Sequence, residues 1–331
     1  MERCETLIIQ PLIIPKYILQ TEALERRLPP YHPKKGILEN KARSLRAGYN
    51  GELALDFPLS LLPEEQYLIF YYLRLSDASG SFQMDTLILS TNFMLIIEAK
   101  NMKDHVIYND MGQTIRIENE KEQAYTNPVD QVNLQHLRLL RWIRQFKFPT
   151  IPIEKIVVYT NPKMLLKNQS NDKSLSEKVM HKEKILSKID EFAATHTSKC
   201  LTENQLMELS YQLTSAHTPK EEKVMEKYDV YFEELRKGVI CPKCKSMPMR
   251  WHKAKWFCEH CHKVSKTAHK HALSDYALLI SDYINNRQAR ELLQLESLYV
   301  AKRLLQKECI EQFGVKSGRK YKLDFRKLLN E

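Results

Sequence analysis

The chain has 331 residues, enough for two or three domains. Lys and Arg (51) outnumber Asp and Glu (41), and the whole excess of +10 lies from Cys241 onward, where 19 basic residues face 9 acidic ones. No run of about 18 apolar residues exists, which argues against a membrane span, and no basic amphipathic anchor stands out.

Residues 1–46 read as a strand or arm followed by a helix packed on a core. Met1-Glu2-Arg3-Cys4 lacks the layout of a signal peptide. Seven cysteines, four of them in metal-binding spacing, fit a reducing cytosol better than a disulfide framework, so a cytoplasmic location is expected. Gly48-Tyr49-Asn50-Gly51-Glu52 follows, with two glycines that permit close packing of the segment carrying Glu52.

Next come two short apolar runs, Met84-Asp85-Thr86-Leu87-Ile88-Leu89 and Phe93-Met94-Leu95-Ile96-Ile97-Glu98-Ala99-Lys100, separated by Ser90-Thr91-Asn92. This is a β-hairpin signal. A two-residue loop at Thr91-Asn92, with Asn tolerating positive φ, pairs Ser90 with Phe93 and Asp85 with Glu98. Opposed residues share a face, and Lys100 lies two residues beyond Glu98 on that face. Two carboxylates and an ammonium at one end of an apolar hairpin are costly unless they bind something. With few competing ligands they suit Mg²⁺, which keeps its waters and meets phosphates. The same E-x-K triplet at Glu39 and at Glu221 lies in polar surroundings and carries no such signal.

Asn127 is a good N-cap, and Pro128 fits the first position of a helix that places Gln131 and Gln135 on one face. Ile156-Val157-Val158-Tyr159 reads as a core strand, Lys167 to Ser176 as a loop, and residues 177–192 and 201–235 as helical.

In order and spacing, G-x-x-G-E, Asp85 within a strand, Glu98-Ala99-Lys100, and Asn127-Pro128-x-x-Gln131 resemble the NERD (nuclease-related) domain of the PD-(D/E)XK nuclease superfamily, over roughly residues 35–165. The resemblance implies an α/β, restriction-endonuclease-like core, a mixed sheet flanked by helices, with a Mg²⁺-dependent phosphodiesterase site. Asp85 and Glu98 would be metal ligands, with Mn²⁺ able to replace Mg²⁺. Lys100 would align or activate the water, Glu52 would complete the acidic cluster, and Gln131 would face the site.

Cys241-x-x-Cys244 and Cys258-x-x-Cys261 stand 13 residues apart and predict a closed Cys₄ zinc ribbon, structural rather than catalytic. Between the knuckles, Arg250, Lys253, Lys255 and Trp256 interleave basic and aromatic character, as in modules that stack bases and touch phosphates. Trp256 and Phe257 could equally pack a small core. After the ribbon, helical patterns over 273–284, 287–293 and 297–306 precede a strand pair, 310–315 and 319–323. This pattern resembles a winged helix-turn-helix. Tyr299, Lys302 and Arg303 would face outward on its recognition helix, and Lys316, Arg319 and Lys320 would decorate the wing.

The expected organisation is a nuclease-like domain over 1–200, a helical connector over 201–237, a zinc ribbon over 238–266 and a winged-helix-like domain over 272–331. A basic tail behind a neutral core is the footprint of nucleic-acid binding, DNA in the leading reading. The alternative is a DNA-binding or scaffolding protein whose nuclease-like core does not cut.

Overall fold

The computed structural model describes residues 8–103, 105–118 and 121–329. The expectation for Met1–Cys4 lies outside them. The chain divides into two compact units. One comprises Met1–Ile14 and Leu45–Lys220, the other Pro15–Ser44 and Glu221–Glu331. The stretch expected as a connector, 201–237, is shared between them. Its first helix, Glu203–Ala216, buries Leu206, Leu209 and Leu213 in the core of the first unit.

The first unit is built on a six-stranded mixed sheet. In chain order its strands are β1 (Ile8–Gln10), β2 (Leu68–Asp77), β3 (Gly80–Leu89) and β4 (Met94–Lys100), then, after an inserted sheet, β8 (Ile153–Tyr159) and β10 (Val179–His181). The inserted four-stranded sheet uses β5 (His105–Tyr108), β6 (Thr114–Glu118), β7 (Lys121–Tyr125) and β9 (Leu165–Asn168). In the main sheet β2, β3 and β4 run antiparallel, whereas β1 lies parallel to β2, and β4, β8 and β10 are mutually parallel.

The β3–β4 hairpin has the register expected from the sequence, Leu89 opposite Met94 through Thr86 opposite Ile97. Its turn differs. Neither Thr91 nor Asn92 adopts positive φ. The Ser90 hydroxyl closes the turn instead, accepting from the Asn92 and Phe93 amides at 3.3 and 3.0 Å.

Each face of the sheet carries a core. Phe70, Leu87, Ile96 and Val157 meet Val132, Leu139 and Trp142 of the helix Pro128–Ile143 on one side. Ile69, Tyr71, Leu95, Ile97 and Val158 meet Leu55, Leu59, Ile185 and Ile189 on the other. Each fully buried aliphatic side chain contributes roughly 1.5–3 kcal/mol. Burial on both faces explains why β4 and β8 read as continuous apolar runs. Residues 177–192 are not one helix: Val179 and Met180 add the edge strand β10, and the helix runs from Ile185 to Thr195.

The second unit contains a three-stranded antiparallel sheet of β11 (Arg250–His252), β12 (Lys255–Phe257) and β13 (Val264–Ser265). After the helix His269–Leu279 come β14 (Tyr283–Asn285), the helices Asn286–Leu293 and Leu298–Glu308, then β15 (Glu311–Phe313) and β16 (Lys320–Lys322). The first of these helices was expected to run through Ile284. It stops at Leu279, and Tyr283–Asn285 pairs with β16 as a strand. Asn285 then caps the next helix with a reciprocal Gln288 bond. Trp256, Val239 and Met249 share one continuous core with Leu273, Leu293, Leu305 and Tyr321, so the ribbon and the helices behind it are not separate beads. The helix Lys16–Arg27 belongs to this unit. Arg27 and Asp275, each 1% exposed, form a buried ion pair at 2.7 Å, and Arg26 pairs with the other Asp275 oxygen.

Candidate functional site

Glu98 and Lys100 lie two apart near the end of β4, where the alternation puts both on the face covered by the helix Pro128–Ile143. Asn127 caps that helix by accepting from the Val129 amide at 2.9 Å, which fixes the first turn bearing Gln131. Lys100 Nζ donates to Glu98 Oε1 at 2.6 Å and to Gln131 Oε1 at 3.0 Å. One turn on, Gln135 is buried. Its Nε2 donates to Glu98 Oε2 at 2.7 Å and to the Gln83 carbonyl at 3.0 Å. Both oxygens of the buried Glu98 are therefore held, one by an ammonium and one by an amide.

Asp85 comes from β3, at a break in the sheet. The β2–β3 ladder runs from Leu68–Leu89 to Tyr71–Thr86 and resumes at Leu73–Met84, skipping Tyr72 opposite Asp85. Both strands change alternation there. Phe70 and Leu87 share a core with Leu73 and Leu75 of β2 and with Met84 and Phe82 of β3, so the buried face passes from even to odd numbers in β2 and from odd to even in β3. Tyr72 sits at φ 52°, a left-handed conformation that costs an L-residue roughly 1–2 kcal/mol. Where the β3–β4 ladder ends, the Asp85 carboxylate supplies the missing acceptor, taking the Ala99 N–H at 2.9 Å.

Glu52 arrives in the last turn of the helix Lys35–Leu53. A Cβ on Gly51 would lie 2.5 Å from Asn101 Cβ and 3.1 Å from Thr160 Oγ1, so only glycine lets this helix approach the ends of β4 and β8. Gly48 has open space beside it and does not serve that purpose. The Glu52 carboxyl is hydrogen-bonded to the Tyr72 side chain, while its buried Oε2 has no hydrogen-bond partner. Burial lifts this carboxyl to about 8, and the Glu98 charge adds to the rise against the opposing pull of Tyr72 and Lys100. Asp85 is pushed well above the usual carboxylate range by burial first, then by Glu98 and Glu52. Three carboxyls thus crowd one ammonium, and their crowding and burial favour the protonated form of Glu52 and Asp85.

Residues 47–160 match the family model of the nuclease-related domain, NERD. The match contains Glu52, Asp85, Glu98, Lys100 and Gln131. Neither curated proteins nor solved structures give a match to the chain. Within the matched stretch, sequence reasoning passed over Tyr72 and gave Gln135 less weight than its contact with Glu98 deserves. Counting outward from the Asp77–Gly80 turn would have set Tyr72 opposite Asp85. Nothing in the sequence signals its left-handed backbone.

In the second unit, Cys241, Cys244, Cys258 and Cys261 bring their sulfurs within 4.8 Å of one another, with Cys241–Cys261 at 3.6 Å and Cys244–Cys258 at 3.5 Å. Tetrahedral Zn²⁺ with bonds of ~2.3 Å needs sulfur separations of about 3.8 Å, so the set fits structural zinc. The Ser246 hydroxyl lies 2.9 Å from Cys244 Sγ and 3.2 Å from Cys258 Sγ, and its hydrogen bonding lowers both thiols, Cys244 to about 5. Among the described residues no other His, Cys, Asp and Glu groups converge so tightly.

Around the ribbon, Lys253 and Lys255 are exposed at the β11–β12 turn, and Arg250 pairs with Glu259 at 2.7 Å on the surface. Trp256 departs from expectation. It is 0% exposed, donates Nε1–H to His269 Nδ1 at 3.1 Å and meets Trp251 edge-on. It packs the small core and is closed to any base. On the helix Leu298–Glu308, Tyr299, Lys302 and Arg303 face outward while Ala301, Leu304 and Leu305 are buried. Lys316 and Lys320 are exposed and Arg319 is half-buried between β15 and β16. No helix among the described residues is long and apolar enough to cross a membrane.

Proposed function

We propose that the chain is a Mg²⁺-dependent nuclease, also served by Mn²⁺, that hydrolyses phosphodiester bonds in DNA. One observation carries this reading: Glu52, Asp85, Glu98, Lys100 and Gln131, drawn from three separate stretches of chain, are gathered where β3 breaks its ladder and β4 ends, inside the nuclease-related match. The buried, unpartnered Glu52 Oε2 and the surplus of carboxyls over ammonium fit a divalent cation. Asp85 and Glu98 would hold it, with Glu52 completing the cluster. When bound, such an ion neutralises a phosphate oxygen and makes water acidic enough to attack. Lys100 uses two of its three N–H donors on Glu98 and Gln131, leaving one to stabilise charge on the phosphate or to orient the water. Gln135 holds Glu98 so that this carboxylate does not reorient during the reaction.

The tail binds the nucleic acid in this reading. The order helix, strand, two helices and two strands, with β14, β16 and β15 in one sheet, supports a winged-helix reading of this unit. Tyr299, Lys302 and Arg303 would enter a groove. Lys316, Arg319 and Lys320, with Arg250, Lys253 and Lys255 of the ribbon, would meet phosphates. A Cys₄ zinc site needs reduced thiols, which suits the cytoplasm.

The test is cleavage of plasmid, linear and single-stranded DNA with Mg²⁺, abolished by EDTA. Salt-sensitive DNA binding without cleavage by zinc-loaded protein in Mg²⁺ or Mn²⁺ would instead favour the non-cutting, DNA-binding alternative.

A further inference from the structure

We propose that Tyr72 is a positioning residue for Glu52, an inference that rests on the nuclease reading above. Three observations meet at this side chain. Its backbone is left-handed in mid-strand, directly opposite Asp85, at the point where β2 and β3 both break alternation. Its hydroxyl is the hydrogen-bond partner of the Glu52 carboxyl. Its ring lies parallel to that of Tyr49, at 2° and 6.5 Å between centroids. Tyr49 precedes Glu52 by three residues and so shares its helix face.

Tyr72 therefore grips the helix end twice, by ring on Tyr49 and by hydroxyl on Glu52. The grip matters because Glu52, once ionised, meets the charge of Glu98 and shares its surroundings with Asp85. A carboxyl in that position turns away unless something holds it. The hydroxyl engages one oxygen and leaves Oε2, buried and unpartnered, for the cation. The left-handed backbone is what aims the phenol at the helix, and the fold retains it at the residue facing the central acid of the site.

The experiment uses the full, zinc-loaded chain and measures Mn²⁺ affinity by calorimetry alongside kcat and KM for DNA cleavage. Tyr72→Phe keeps the ring and removes the hydroxyl. It should weaken Mn²⁺ binding and lower kcat about 10-fold or more, the usual effect of removing a group that orients a metal ligand, with KM for DNA unchanged. In a Glu52→Ala background the same exchange should cost nothing further, because the carboxyl it positions is gone. Equal losses in both backgrounds, or a Tyr72→Phe protein that binds Mn²⁺ like wild type, would overturn the proposal while leaving the nuclease reading intact. If wild type shows no Mn²⁺ binding that Asp85→Asn removes, both fall together. Should Tyr72→Phe fail to fold, Glu52→Asp makes the same test by withdrawing the carboxyl one methylene from the hydroxyl. A loss like that of Glu52→Ala is expected, and full retention overturns the proposal.

Discussion

Gly48 and Gly51 lie three residues apart on one helix, and replacing each by alanine separates two opposing effects. In a helix alanine is favoured over glycine by about 1 kcal/mol. At Gly48 nothing lies within 4 Å of the new methyl, so Gly48→Ala should realise up to that gain. At Gly51 the methyl would sit 2.5 Å from Asn101 Cβ, an atom fixed to the backbone just past β4. Ordinary contact needs roughly another ångström, and forcing such a shift in a packed interior costs about 1–3 kcal/mol. The net for Gly51→Ala is a loss of roughly 0–2 kcal/mol, so the two variants should differ by about 1–3 kcal/mol. Hydrogen exchange of the Met94–Ile97 amides reads this directly, since core-strand amides report opening of the whole unit. Protection should differ about 5–150-fold between the variants. Equal shifts of the same sign would refute the claim that Gly51 is the point of close approach.

Asp85→Ala and Lys100→Ala should each lower metal-dependent cleavage by roughly 10²–10³ with circular dichroism unchanged; full activity in either would remove that residue from the site. Elemental analysis should find one zinc per chain, and a strong chelator should release it and shift Trp256 fluorescence to the red, because that ring is fully buried in the core behind the cysteines. Protein purified without chelator and free of zinc would contradict the assignment. If the tail neutralises ~5 phosphates, log K for duplex DNA should fall against log salt with a slope of about −4 to −5. Lys302→Ala with Arg303→Ala should flatten the slope by about 2, and an unchanged slope would move the contact elsewhere.

The hairpin register was legible because two short apolar runs flank one short polar break, which leaves few ways to pair them. The break in β2 at Tyr72 was not, for no glycine or proline marks it. The four cysteines declared their geometry by spacing alone. Trp256 misled because an aromatic among lysines looks the same whether it serves a base or a small core, and only the partner at His269 decides. The placement of residues 15–44 was beyond any local pattern. It depends on Arg27 meeting Asp275, a pairing across 248 positions. That placement also means that cutting the chain before Gly238 would strip Arg27 of its carboxylate, so surface substitutions are the cleaner probe of the tail.

Synthesis from the N-terminus gives this long pairing a clock. At roughly 5–20 residues per second, Asp275 leaves the ribosome some ten to fifty seconds after Arg27. During that interval the Lys16–Arg27 helix has neither its buried counter-charge nor most of the core it will join. Leu45–Lys220 by then holds nearly everything its own sheet requires. The middle of the chain is therefore placed to fold first, while the segment made before it waits for the segment made last.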